Sequence, residues 1–392
     1  MQPAPDILIV GAGVFGVTAA LELTSRGHTV ALVDQGPPPF LLAASSDISK
    51  VVRMEYGSDA FYMRLAEEAM EGFDAWNESL SRPFYHETGV LMLSREAMQP
   101  GGFEHDSWKT LQERGHEPER IDSKLLSDRF PAFDPSMYTD GFFHARGGWV
   151  ESGSLIQELF QRALAAGVRF TEGMVTDLLL EDGRCLGATL ADGSSLEAGH
   201  TLLACGAWTT NLLPELKPFF RSSGHPVFHL RPAEPKRFAP PEFCTFTADI
   251  AHTGWYGFAV HPSEGVVKIG RHGTGLDVDP VADPREVYES DIQAMWAFVR
   301  EALPALTEAE LVYTRRCLYA DTIDADYWLD HHPEYAGLSV ASGGSGHGFK
   351  MAPILGSLIA NRLEGVADDR LERFRWRTDR AAYKSEAARF VG

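Results

Sequence analysis

Two glycine-rich loops, one cysteine and a few basic side chains stand where their residue types could do chemistry. Gly11-Ala12-Gly13-Val14-Phe15-Gly16 follows the apolar run Ile7 to Val10 and precedes a helical pattern from Val17 to Ser25. In that context Gly11 permits a tight turn, Gly13 lets the backbone approach a pyrophosphate, and Gly16 lets the helix lie close to the strand. The helix N-terminus then offers unpaired N–H groups and a positive dipole end to phosphates. Asp34 ends the second apolar strand, Val30 to Val33, where a carboxylate can accept ribose hydroxyls. This set predicts a dinucleotide site and does not separate FAD from NAD.

Cys317 is flanked by Arg315, Arg316 and Tyr319. Neighbouring cations can lower a thiol pKa and so favour the reactive thiolate, whereas most free cysteines are small buried core residues. Lys268 interrupts the apolar strand Gly265-Val266-Val267-Lys268-Ile269-Gly270. It is either an edge-strand gatekeeper or a buried functional amine. Arg53 and Lys350, each alone, would be solvated surface charges. As a pair they could clamp an anion, arginine with a planar fork and lysine with a point charge.

The elements that position these groups follow from pattern. A helix is predicted over 59–80, another over 151–166 with Ser152 or Ser154 as its cap, and a third over about 284–301. A polar Gly-rich loop is expected near 100–107. Asp182-Gly183 and Asp192-Gly193 read as hairpin turns. Thr201 to Cys205 reads as a buried strand, 225–272 as strand-rich, and Leu338 to Ala341 as a strand before Gly343-Gly344-Ser345-Gly346-His347-Gly348-Phe349-Lys350, which opens a helix to about Leu363. The charged stretch from 366 reads as a surface helix. The dinucleotide-binding pieces are thus expected at 1–55, 145–215 and 325–365, a substrate domain at 56–144 and 216–324, and a helical tail at 366–392.

A chain of 392 residues has the length of two or three domains. Its net charge of −20 argues against nucleic acid or an anionic membrane surface as partner. Cys185, Cys205, Cys244 and Cys317 show no C-x-x-C spacing, which fits buried thiols in a reducing cytoplasm. With the first strand beginning near Asp6 and no long apolar run, neither a signal peptide nor a membrane span is expected. A cytoplasmic location follows as an expectation. No metal site is read.

Residues 45–56, Ser-Ser-Asp-Ile-Ser-Lys-Val-Val-Arg-Met-Glu-Tyr, together with Arg316-Cys317-Leu318-Tyr319 and Ser345-Gly346-His347-Gly348-Phe349-Lys350, resemble the monomeric sarcosine oxidase, pipecolate oxidase and fructosyl-amino-acid oxidase group. That group belongs to the D-amino-acid oxidase superfamily. The likeness covers essentially the whole chain. The first glycine loop is widespread, whereas the other two segments are restricted to far fewer proteins.

The resemblance implies an α/β (α+β overall) architecture, a Rossmann-type FAD-binding domain with an inserted mixed β-sheet substrate domain. FAD would be held by Gly11, Gly13, Val14, Phe15, Gly16, Asp34, Ser45, Ser46, Lys50, Val175, Gly206 and Trp208. The second loop would add Gly344, Gly346, His347, Gly348, Phe349 and Lys350, with backbone N–H groups facing the electron-rich pyrimidine edge. Cys317 would form a thioether to the flavin 8-methyl group. Arg53 and Lys350 would bind a substrate carboxylate. Lys268 would promote reaction with O2, because a fixed positive charge stabilises the superoxide that forms first. Tyr256, His272 and Tyr319 match other active-site positions, though each is also a residue type that packs domain interfaces. Two positions depart from the sarcosine oxidase pattern: Ser46 replaces a histidine, and Lys50 replaces an arginine, as in fructosyl-amino-acid oxidases.

The implied reaction is oxidation of an amino acid bearing a secondary amine to an imine, with O2 reduced to hydrogen peroxide. A monomer is the family's habit. A flavin dehydrogenase with a protein acceptor is the alternative, and Lys268 is the residue that separates the two. A nicotinamide-dependent dehydrogenase would leave Cys317 and the second loop idle. A non-catalytic flavin-binding module is the remaining reading.

Overall fold

The computed structural model describes residues 3–379, 384 and 386–391. Its first sheet runs Trp328–His331, Leu338–Ser342, His200–Leu203, Ile7–Val10, Val30–Asp34, Arg169–Glu172, parallel throughout except for the antiparallel first pair. The apolar run at Ile7–Val10 is explained by coverage on both faces. Ile7 and Ile9 pack in a core with helices Val14–Ser25, Ser152–Ala165 and Ala352–Glu364, while Leu8 and Val10 pack toward the antiparallel sheet Val175–Glu181, Arg184–Leu190, Ser195–Glu197.

Close approach explains individual glycines here. A Cβ on Gly356 would lie 2.5 Å from Thr18 O, so the helices at 14–25 and 352–364 can touch backbone to backbone. The hairpin at Asp182-Gly183 turns with both residues at positive φ, 46° and 73°.

A second, mixed sheet carries the other half of the molecule. Glu310–Thr322 pairs along Phe220–Arg231, and the order continues through Val267–Arg271, Trp255–Gly257, Thr245–Ala248, Val90–Ser94 and Asp140–His144 to Glu119–Arg120. Strand alternation sorts its side chains. Val267, Ile269, Trp255, Phe246 and Ala248 join a core closed by helix Glu289–Ala302. The residues between them, Lys268, Tyr256 and Thr247, therefore point to the opposite face.

Several elements differ from the sequence expectation. The loop expected near 100–107 is helical from Phe103 to Glu113, with Glu104 and Asp106 favourable in its first turn. Neither Ser152 nor Ser154 caps the helix at 152–165. Glu151 is its N-cap residue, and Ser152 Oγ donates instead to Asp47 O at 2.6 Å. Helix Ala60–Ser79, assigned by sequence to the substrate region, packs on the dinucleotide side, where a Cβ on Gly72 would meet Pro353 at 2.4 Å. Lys350 lies in a 3-10 turn, Phe349–Met351, ahead of the last long helix rather than within it. Beyond 366, among the described residues, a short 3-10 helix, Asp369–Phe374, stands in place of the expected surface helix, and Glu386 and Arg389 reach into the interior. Residues 380–383, 385 and 392 of that stretch lie outside the described residues. Among the described residues no helix is long and apolar enough to cross a membrane.

Candidate active site

A cavity of about 430 Å³ runs from the C-terminal edge of the parallel sheet to the inner face of the mixed sheet. Val10, Asp34, Ala204 and Ser342, all at or just past strand ends, line its first part, where ligands of open α/β sheets bind. Gly11 turns the chain at φ 101°, and a Cβ there would lie 2.5 Å from Ala204 O. A Cβ on Gly16 would collide with Gly11 O at 1.8 Å, so this glycine serves the turn itself and does not face the cavity. Gly13 is open, with Ser45 Oγ 3.6 Å from a Cβ placed on it. Ser45 Oγ accepts from Val14 N at 3.1 Å, and Asp34 accepts from the backbone N–H of Ala12 and Gln35, both at 2.7 Å. Burial raises the Asp34 carboxyl pKa while those two N–H groups oppose the rise.

The second glycine loop closes the middle of the cavity. Gly343, Ser345 and Gly346 all have positive φ, 76°, 44° and 78°. Ser345 tolerates this uncommon conformation because its N–H donates to Ala320 O at 3.0 Å and its Oγ accepts from Thr322 N at 3.1 Å. A side chain at Gly346 would strike Tyr319, at 2.5 Å.

Opposite lies a buried charge cluster. Lys268 Nζ donates to Asp47 Oδ2 and to Ser49 O, both at 2.6 Å, and Lys50 Nζ stands 3.4 Å from the same Asp47 oxygen. Burial opposes ionisation of Asp47, but the ammonium groups of Lys268 and Lys50 hold its carboxyl well below the usual range. Burial pulls the Lys268 amine down to about 8 against the pull of Asp47. Cys317 Sγ is 3.8 Å from Lys50 Nζ and 3.9 Å from Arg315 Nη2. Burial alone would raise this thiol, yet Lys50 and Arg315 bring it below its ordinary value. Arg316, the other flanking cation, turns away to Asp283 at 2.7 Å.

At the far end, Arg53, Lys350, Tyr256, His272 and Tyr319 all line the cavity. Arg53 Nη2 bonds Glu386 at 3.0 Å, while its buried Nη1 has no hydrogen-bond partner among the described residues. Lys350 Nζ donates to Tyr56 OH at 3.2 Å. Burial, with Arg53 nearby, holds the Lys350 amine well below its usual pKa. His347 Nε2 faces Ala325 O at 2.9 Å, and burial pulls this imidazole down to about 3. Tyr319 stacks on His225 with centroids 3.8 Å apart, and burial pushes the hydroxyls of Tyr319 and Tyr256 upward.

Val14, Phe15, Ser45, Lys50, Val175, Gly206, Trp208, Gly344, Gly348 and Phe349 also line the cavity. Ser46, Cys317 and Lys268 do not. The Ser46 hydroxyl donates to Phe40 O, while Cys317 and Lys268 sit just behind the wall formed by Lys50, Leu318 and Phe258. Sequence reasoning assigned no role to Asp47, Tyr56, Glu386 or Arg389. Asp47 lay inside the quoted segment 45–56, three residues before Lys50. Nothing local marks Glu386.

This fold and cavity define an α/β protein with a dinucleotide-type site beside a mixed sheet. The model of the FAD dependent oxidoreductase family, DAO, matches residues 6–362. The chain belongs to that family and is an FAD-dependent oxidoreductase. It is 27% identical over 364 residues to monomeric sarcosine oxidase of Bacillus sp. (strain NS-129), covering 91% of this chain and 92% of that protein. It is 28% identical over 419 residues to L-saccharopine oxidase of Schizosaccharomyces pombe, covering 95% and 93%. The crystal structure of fructosyl amine: oxygen oxidoreductase (Amadoriase I) from Aspergillus fumigatus superposes with a TM-score of 0.84 at 25% identity, covering 100% of this chain and 94% of that one. The open space above Gly13, the Asp34 carboxylate and the amide-rich loop at 343–348 fit FAD.

Proposed function

We propose that this enzyme oxidises an amino acid carrying a secondary amine, with O2 as electron acceptor. The observation that carries the proposal is the convergence of Arg53, Lys350, Tyr256 and Tyr319 on one end of the cavity, past the second glycine loop, with Arg53 Nη1 unpaired among the described residues. FAD, when bound, would supply the hydride-accepting and oxygen-reducing chemistry. This chain's residues do the rest. Gly11, Gly13 and the first turn of the helix at 14–25 hold the pyrophosphate, and Asp34 holds the ribose. The loop at 343–348 would offer the flavin those of its amides that are not bonded within the protein, as the N–H groups of Ser345 and His347 are. Arg53 Nη1 and Lys350 take the substrate carboxylate, which fixes the amine-bearing carbon. Lys268, kept in place by Asp47 and Ser49, presents positive charge where oxygen is reduced.

The names of the similar proteins support this substrate class: sarcosine, saccharopine and fructosyl amino acids are all secondary amines. Lys50 leans toward the fructosyl-type branch, and Ser46 departs from the sarcosine oxidase pattern. The cations around Cys317 suit a thiolate poised for a thioether to the flavin. Acid precipitation tests that link: a pellet that keeps its yellow colour, lost in Cys317→Ala, is expected, and a colourless wild-type pellet would refute it. The function itself is tested by peroxide release in air from a panel of N-substituted amino acids and the matching amines without carboxylate. Activity confined to the carboxylate-bearing members is expected. Flavin reduction without peroxide would favour a dehydrogenase with a protein acceptor.

A further inference from the structure

The C-terminal segment brings into the cavity a carboxylate that no motif announces. Glu386 Oε1 lies 3.0 Å from Arg53 Nη2, and Oε2 lies 2.7 Å from His272 Nε2. Its side chain is 7% exposed. The segment is anchored just beyond it: Arg389 donates to Asp321 Oδ1 at 2.7 Å and to Ser345 O at 2.8 Å, and Phe390 N donates to His272 O at 3.0 Å. Glu386 is therefore a fixed part of the wall.

Its position changes what the Arg53 end can recognise. One arm of the guanidinium fork is taken, and the other, Nη1, is buried without a partner among the described residues. A ligand carboxylate on Nη1 would share one guanidinium with Glu386. Two carboxylates that close repel each other in a site shielded from water. The Arg53 charge is already balanced by Glu386, and His272 and Lys350 are both driven toward their neutral forms by burial. A ligand ammonium beside Glu386 can supply the positive charge that balances a second carboxylate, in addition to any proton Lys350 takes up on binding.

We propose that Glu386 is a specificity-determining residue that reads the cationic nitrogen of a zwitterionic amino acid, so that the pocket prefers a ligand carrying both carboxylate and ammonium over a bare carboxylate. This rests on carboxylate docking at Arg53 as proposed above. The zwitterion is the abundant form of a secondary amino acid near neutral pH. The amine loses its proton to water after binding and before its C–H is oxidised.

The test uses the flavin-loaded enzyme and two ligands of the same shape that it cannot oxidise at an amine lone pair. Betaine carries a quaternary nitrogen, and 3,3-dimethylbutanoate has carbon in its place. Each is titrated against the flavin absorption spectrum. The wild-type enzyme should bind betaine more tightly, on the order of tenfold. In Glu386→Gln, betaine should weaken and 3,3-dimethylbutanoate should tighten. Equal tightening of both would show that Glu386 merely blocks the site, and unchanged affinities would show that it does not face the ligand. Either result overturns the proposal. The wild-type preference tests it even if the variant fails to fold. If neither ligand perturbs the wild-type flavin, carboxylate docking at Arg53 is itself wrong, a failure separable from that of Glu386.

Discussion

The two ends of the cavity offer opposite kinds of group to a ligand. At the dinucleotide end the contacts are backbone amides, opened by Gly11 and Gly13 and squared by Asp34. At the proposed substrate end they are buried ionisable side chains, Arg53, Lys350 and Glu386, whose partners come from across the chain. Backbone recognition depends on local conformation and hardly on pH. Side-chain recognition depends on a charge balance that one substitution, or one proton, can tip.

The largest way to break this contrast is at the first end. Gly11→Val forces a β-branched residue into φ 101° and puts a Cβ 2.5 Å from Ala204 O. It should abolish flavin retention, measured as flavin absorbance per protein after gel filtration. Next comes Asp47→Asn, which leaves Lys268 buried without its carboxylate. Removing one partner of a buried pair costs about 3–5 kcal/mol, to be read from denaturant unfolding. The same substitution should lower the Lys268 pKa further, because Asp47 is what raises it. In the wild type the rate of reaction with O2 should be flat below about pH 8, the Lys268 value, and fall above it. In the variant that fall should begin at lower pH.

Lys350→Met should reduce kcat/KM by roughly 30-fold to 1,000-fold, the equivalent of about 2–4 kcal/mol for a lost charge-assisted contact, with flavin content unchanged. Equal loss of flavin would show that Lys350 belongs to the dinucleotide end instead. The smallest effect is a proton. Burial and Arg53 hold the Lys350 pKa down in the free enzyme, and a bound carboxylate raises it. Binding should therefore take up a proton between the two pKa values, and affinity should fall by up to about tenfold per pH unit as pH rises through that window. Calorimetry in buffers of different ionisation enthalpy reads this directly.

The same contrast explains what the sequence disclosed. The turn at Gly11 to Gly16, the place of Asp34 at a strand end and the strand at Ile7–Val10 are local consequences of residue order, and they were readable. Lys268, Tyr256 and His272 were placed by resemblance. Strand alternation with Val267, Ile269 and Trp255 shows why the first two face inward. Glu386 was not readable, because its meaning depends on Arg53 and His272, which are remote in sequence. The charged composition of 366–392 suggested a solvated helix, yet two of its charges are buried against partners of opposite sign, Glu386 on Arg53 and Arg389 on Asp321. The helix at 103–113 was hidden by Gly101 and Gly102, which precede it rather than break it.

The most direct test of the central claim is anaerobic mixing of the enzyme with a secondary-amine amino acid, followed by admission of air. Bleaching of the flavin band by the amino acid, and its prompt return with one hydrogen peroxide released per flavin, is the predicted result. A flavin that stays oxidised with every secondary-amine amino acid offered, or one that bleaches but regains its colour only with a protein acceptor, would contradict it.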